Sequence, residues 1–212
     1  MTGKKVIDLT IPINGDVNGV SIEQSKTLLK DGWNATTLHL YSHSGTHMDA
    51  PMHFGVNEQT IDQVPLNRLI SEAWIVDVRP VTPKQLIEIH HLGAIADNFI
   101  AGQSIVLHTG WSHKLGTDDY RDSLPRISKE LALWMGAKGV NLLGVEPPSV
   151  ADVNNLPEVT EIHNILMEND VIIVEGLCNL DAIVQKKVIL VALPLKVENG
   201  DGAPARVIAL EN

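Results

Sequence analysis

The sequence predicts a single α/β domain, residues 1–212, and three observations carry that expectation. Short apolar, β-branched runs alternate with short stretches that carry helix-capping residues. No shift in composition, long Gly/Ser linker or internal repeat divides the 212 residues. Hydrophobic residues make up 44% and charged residues 20%, ordinary for a chain that buries one core without disulfides.

Taken in order, residues 4–10 read as a strand. Residues 35–43 alternate, with Leu38 and Leu40 on one face and His39, Tyr41 and His43 on the other. Residues 73–78 are a further strand. Thr82-Pro83-Lys84-Gln85 supplies a capping Thr, a Pro at the first helical position and a Gln three residues on, which predicts a helix to about His90. Residues 104–109, 140–145, 171–175 and 188–193 are continuous apolar runs of the kind that form buried strands. Ser128 caps a helix through Trp134 and Met135 that stops before Gly136 or Gly139. Thr160 or Glu161 opens a helix through Met167. Asn199-Gly200-Asp201-Gly202 is a turn, and residues 205–210 are the last strand. Strand order is not encoded in this pattern.

Composition excludes several classes of function. Acidic residues outnumber basic ones, 26 to 16, for a net charge of -10, which argues against a nucleic-acid partner. One cysteine rules out an intrachain disulfide and any CxxC site, and points to a cytoplasmic protein. Residues 1–9 lack the pattern of a cleaved leader. The longest apolar stretch, 188–195, is far short of a membrane span. The expected partner is a small molecule, with no nucleic acid and no membrane.

Nine histidines are the unusual count. Residues 43–53 read His43-Ser44-Gly45-Thr46-His47-Met48-Asp49-Ala50-Pro51-Met52-His53, three imidazoles and a carboxylate in eleven residues. Gly45 and Pro51 argue against a helix. A strand ending near His43 that bends at Gly45 lets His47 and Asp49, two apart, point the same way while His43 meets them across the bend. Imidazole nitrogen and carboxylate oxygen are donors that zinc or manganese accepts. Solvated loop histidines are the competing reading, and the density of such groups favours the metal.

Other chemistries are weaker. Ser44 lies in Ser-Gly-Thr, not a nucleophile elbow, and no Gly-rich phosphate loop is present. Cys178 follows a buried run and reads as a packed thiol. His39, His90, His91, His108 and His113 lack ligand-like neighbours and read as structural.

The run HSGTHMDAPMHF resembles the signature of the cyclase-like metal-dependent hydrolases, a family that includes bacterial kynurenine formamidases. His108-Thr109-Gly110-Trp111, GVNLLGVEPPS, IHNILMENDVIIVEGLCNLDAI and ALPLKVENGDGAPARVIA are similar to that family's later blocks, in order. The resemblance implies a swivelling β/β/α domain, a mixed sheet wrapped by helices. It implies a two-metal site, zinc first and manganese second. His43, His47 and Asp49 would hold the first ion, with Asp49 bridging to a second. His163, near the start of a helix, would bind the second ion, and Glu175, at the end of a strand, would be the second bridging carboxylate. His53 would transfer protons.

A bound divalent ion lowers the pKa of its water from 15.7 to about 7, so hydroxide becomes available to attack a carbonyl. The implied activity is therefore cleavage of the C–N bond of a small amide, N-formyl arylamine (as in an arylformamidase of tryptophan catabolism) or cyclic amide. A lactone hydrolase, a lyase or dehydratase on the same ions, and a non-catalytic metal-stabilised protein are the alternatives. The family is expected to stack its substrate's ring on a Trp in the N-terminal loop; residues 12–21 here, PINGDVNGVS, hold no aromatic. Glu146 stands where the family often has Asp, and Trp111 is a pocket wall or a core residue. Residues that bind substrate are not identified. The family also implies a homodimer or larger homo-oligomer.

Overall fold

The computed structural model describes residues 5–211. The strands are β1 (Lys5–Asp8), β2 (Val20–Lys26), β3 (Ala35–Leu40), β4 (His47–Asp49), β5 (Ile70–Asp77), β6 (Leu86–Ile87), β7 (Ser104–His108), β8 (Arg126–Ile127), β9 (Leu142–Val145), β10 (Ile172–Glu175), β11 (Lys187–Pro194) and β12 (Gly202–Glu211). The helices are α1 (Leu28–Asp31), α2 (Ile95–Asn98), α3 (Asp118–Asp122), α4 (Lys129–Lys138) and α5 (Leu156–Glu168). None of these helices is long and apolar enough to cross a membrane.

Eight strands form one mixed sheet in the order β1-β12-β11-β5-β7-β9-β10-β4. Strands β5, β7, β9 and β10 are parallel neighbours, and the remaining pairs are antiparallel. β4 also pairs with β12, His47 opposite Pro204 and Asp49 opposite Gly202, so the sheet closes into a barrel.

Alternation along the strands sorts two cores. Ala73, Val106, Leu142, Val174, Met48, Ala203 and Val207 face the barrel interior. Val76, Ile105, Leu107, Leu143 and Ile173 face outward, under Leu131 and Met135 of α4 and Ile162 and Leu166 of α5. Burial on both faces is why these strands appear in the sequence as unbroken apolar runs.

α4 follows its capping signals. Ser128 Oγ accepts from Leu131 N at 3.0 Å, and the helix ends on Gly139 at φ 66°. α5 starts earlier than the expected Thr160 or Glu161: Asn155 is the cap, its Oδ1 accepting from Glu158 N, and Pro157 sits in the first turn. His163 consequently lies just past the middle of α5, not near its start.

The helix predicted from Thr82 to His90 does not form. Its capping contact is made, with Thr82 N donating to Gln85 Oε1 at 2.8 Å, but Lys84 turns to φ 56° and the chain leaves the helical path. Leu86–Ile87 pairs instead with β8, which buries Ile87. The alternating strand at 35–43 also ends early, at Leu40. It pairs with β2 alone, so neither of its faces is covered; Leu38 is 52% and Tyr41 56% exposed.

Candidate metal centre

β4 and β10 pair with Met48 opposite Val174 and His47 opposite Glu175. Met48 and Val174 point into the barrel, so His47, Asp49 and Glu175 share its outer face. Gly176, directly after Glu175, has φ +69°, and a Cβ there would lie 2.3 Å from the Gly45 carbonyl oxygen. Glycine at this position lets the turn carrying His43 press onto the end of β10. Thr46 Oγ1 ties that turn down, donating to Gly176 O at 2.5 Å and accepting from Ile11 N at 2.9 Å. α5 crosses the same face with His163, and the 3-10 turn Pro51–Phe54 adds His53 and Phe54.

The six candidate residues named from the sequence therefore converge. His43 Nδ1 is 2.8 Å from Asp49 Oδ1. His47 Nε2 lies 3.7 Å from Asp49 Oδ1 and 3.2 Å from Glu175 Oε2. His163 Nε2 lies 3.7 Å from Asp49 Oδ2 and 3.4 Å from Glu175 Oε1. The His53 ring stacks on His43 with centroids 3.8 Å apart. Phe54 stacks on His163 at 4.3 Å and meets His53 edge-on. Asp49, Glu175, His47 and His163 are buried.

Burial alone would depress the imidazoles. The hydrogen bond and charge of Asp49, then those of Asp201, outweigh it and raise His43 to about 9. Against the same burial, the Glu175 hydrogen bond and the Asp49 and Glu175 charges raise His47 and His163. Asp49 and Glu175 are held below the usual carboxylate range: burial pushes both up, but the surrounding histidines prevail. His53 goes the other way; burial, with His43 beside it, keeps it below the usual imidazole range despite the attraction of Asp49.

The donor set suits a divalent cation. Ligand atoms of His43, His47 and Asp49 lie within 4.8 Å of one another, and so do those of Asp49, His163 and Glu175. These two groups share Asp49, and a third, less buried group is formed by His43, His53 and Asp201. Imidazole nitrogen and carboxylate oxygen without thiolate fit zinc or manganese. Behind Asp49 a cavity of about 20 Å³, lined by Pro51, Val64, Arg68 and Met167, has room for one water. The open side is that of His53 and Asp201, whose side chains are 26% and 44% exposed.

From the sequence Asp201 is only part of a turn. Its Oδ2 lies 3.0 Å from His43 Nε2 and 3.4 Å from His53 Nδ1. The available signal was an acidic residue inside the C-terminal block that resembles the family's. Glu146 also acquires a physical role: its carboxylate accepts from Thr109 N, Thr109 Oγ1, Gly110 N and Ser112 Oγ at 2.6–2.8 Å, tying the loop after β7 to the end of β9. Trp111 is a core residue, buried, with Nε1 donating to Tyr120 O. Burial pushes the Cys178 thiol up to about 11, against nucleophilic use. His39, His90, His91, His108 and His113 enter none of the ligand groups among the described residues.

Residues 7–152 match the model of the Cyclase family, described as "Putative cyclase". The chain is 32% identical over 177 residues to a kynurenine formamidase of Salinibacter ruber, covering 82% of this chain and 79% of the relative. It is 28% identical over 211 residues to a kynurenine formamidase of Bacillus mycoides, covering 95% of each. A solved isatin hydrolase bound to the product analogue thioisatinate superposes with a TM-score of 0.87 at 24% identity, covering 98% of this chain and 92% of that one. At that identity the last likeness speaks for the fold alone.

Proposed function

The chain belongs to the cyclase family and is a metal-dependent amide hydrolase, and from that premise we propose that its centre at β4, β10 and α5 cleaves the C–N bond of an N-formyl arylamine. The observation that carries this reading is the overlap of two three-ligand groups on Asp49. In this reading His43, His47 and Asp49 would hold one ion, and Asp49, His163 and Glu175 would hold a second. Two buried carboxylates offset part of the charge of two cations.

Bound ions polarise the substrate carbonyl and bring the ionisation of water near neutral pH. The chain's own residues do the rest. Burial keeps His53 below the usual imidazole range, which suits a free nitrogen that takes the proton of the attacking water and returns it to the departing amine nitrogen. Phe54, stacked on His163, keeps solvent off that ring and fixes its plane. Substrate enters past His53 and Asp201, the exposed side.

Zinc is the first choice of ion and manganese the second, since a site without thiolate selects weakly between them. Residues 1–212 act as one domain of the swivelling β/β/α type, a reading supported by apolar cores on both faces of a single closed sheet. A homodimer is supported by the uncovered β2–β3 ribbon and its flanks, where Ile22, Leu29, Trp33 and Leu38 are exposed. The lone cysteine supports a cytoplasmic setting.

The test is elemental analysis of purified protein, followed by assays of N-formyl aromatic amines, isatin-like lactams and lactones. The proposal expects turnover of an N-formyl arylamine that is lost to a chelator and restored by zinc or manganese. Turnover of lactones or lactams alone would replace the substrate class, and chelator-insensitive activity would remove the metal from the reaction.

A further inference from the structure

Each candidate ligand imidazole has one nitrogen facing the centre and one facing away. His47 Nδ1 donates to Gly45 O at 2.9 Å, and His163 Nδ1 donates to Val159 O at 2.7 Å. An imidazole that donates through one nitrogen offers a lone pair on the other, so Nε2 of both rings is the inward acceptor. His43 is built in reverse. Its inward nitrogen is Nδ1, beside Asp49, and its outward Nε2 meets a carboxylate, Asp201 Oδ2, at 3.0 Å. The same oxygen is 3.4 Å from His53 Nδ1, and the two rings stack with an interplanar angle of 25°.

We propose that Asp201 is a positioning residue shared by His43 and His53. The assignment rests on the metal-site reading above and deepens it. Accepting from His43 Nε2–H leaves Nδ1 as the ligating nitrogen and fixes the ring toward Asp49. The Asp201 charge, 3.4 Å from His53 Nδ1, favours the tautomer with its proton on Nδ1 and leaves Nε2 as the nitrogen that exchanges a proton with substrate. One carboxylate oxygen, hydrogen-bonded to His43 and facing His53 Nδ1, also sets the spacing between a ligand and the proton carrier.

The backbone delivers this carboxylate independently of its side chain. Ala50 N donates to Asp201 O, and Ile61 N donates to Gly200 O, both at 2.9 Å. Asn199 N reaches Asp62 Oδ1 at 3.2 Å. Gly202, opposite Asp49, has no room for a side chain: a Cβ would lie 2.7 Å from His43 Cε1 and 2.8 Å from Met48 O. The turn is thus pressed against the centre, and truncating Asp201 leaves its main-chain ties in place.

The experiment compares wild type, Asp201→Ala, Asp201→Asn and Asp49→Ala. Zinc affinity is read by chelator competition, ion content at saturating zinc by elemental analysis, and kcat and KM on the best N-formyl arylamine. Asp201→Ala is expected to keep its full ion content at saturating zinc, to bind zinc about 10–100-fold more weakly, and to lose kcat more than KM. Asp201→Asn, which retains an acceptor oxygen, is expected to recover part of both losses. Wild-type affinity and kcat in Asp201→Ala overturn the proposal. Loss of an ion at saturating zinc also overturns it, by making Asp201 a ligand. Weakened binding with unchanged kcat removes the His53 half. If wild type takes up no zinc, or Asp49→Ala takes up as much, the metal-site reading itself has failed and the assignment of Asp201 falls with it.

Discussion

Glu146 and Glu175 stand at the ends of neighbouring parallel strands, both buried, and their surroundings differ in who owns the hydrogens. Glu146 receives four N–H and O–H groups from one loop, and its charge is answered in full. Glu175 receives one main-chain N–H, from Val150 at 2.8 Å. Its other neighbours are Nε2 of His47 and His163, whose Nδ1 atoms donate elsewhere. Neutral rings held that way turn lone pairs toward Glu175 and Asp49. Such an arrangement favours a positive charge between the rings and the carboxylates, and the charges of Asp49 and Glu175 raise the pKa of both histidines against their burial. A buried carboxylate is a structural anchor when its donors are complete and a candidate ligand when they are not.

The strongest way to break this contrast is Asp49→Ala. It removes the carboxylate shared by the two buried ligand groups, so ion content should collapse and turnover fall to background; two ions per chain by elemental analysis would contradict it. His53→Ala comes next, with kcat falling about 10²–10⁴-fold while ion content stays at the wild-type value. Wild-type rates on every active substrate would remove His53 from the proton path. Glu146→Gln sharpens the comparison from the other side. It puts an amide N–H against backbone donors, so unfolding free energy should drop by about 1–3 kcal/mol with ion content unchanged. Loss of metal in that variant would erase the distinction between the two carboxylates.

The smallest effect concerns Asp77, which Arg79 grips through Nε and Nη2 at 2.8 Å each and thereby lowers to about 2. Its folded pKa lies below the unfolded value near 4, so its stabilising contribution is complete above about pH 4 and disappears as pH falls toward 2. Thermal melts between those limits should be flatter in Arg79→Ala than in wild type. Identical slopes would show that this half-exposed pair contributes nothing measurable.

Much of this is legible in the amino-acid sequence. The buried strands announced themselves because both faces of the sheet are covered, and α4 because Ser128 and Gly139 satisfy its ends locally. The helix at 82–90 misled for the complementary reason. Its capping signal is real and its hydrogen bond forms, but nothing local reveals that Leu86 and Ile87 find a partner strand 40 residues away. The ligand-rich segment 43–53 could be read as a metal site because its donors are dense. Asp201 could not, because an acidic residue in a glycine-rich turn looks the same whether it faces solvent or a histidine 158 positions earlier.

Within the chain itself, then, lay the α/β class, most of the strands, and a cluster of donors with the chemistry of a divalent cation site. Those properties depend on residue type and short spacing. Barrel closure through β4 and β12, the meeting of His163 and Glu175 with the first cluster, and the choice of Glu146 as anchor over Glu175 were decided by tertiary packing. Each is a contact between segments distant in sequence. Which lone pairs face which hydrogens depends on angles that no local pattern carries.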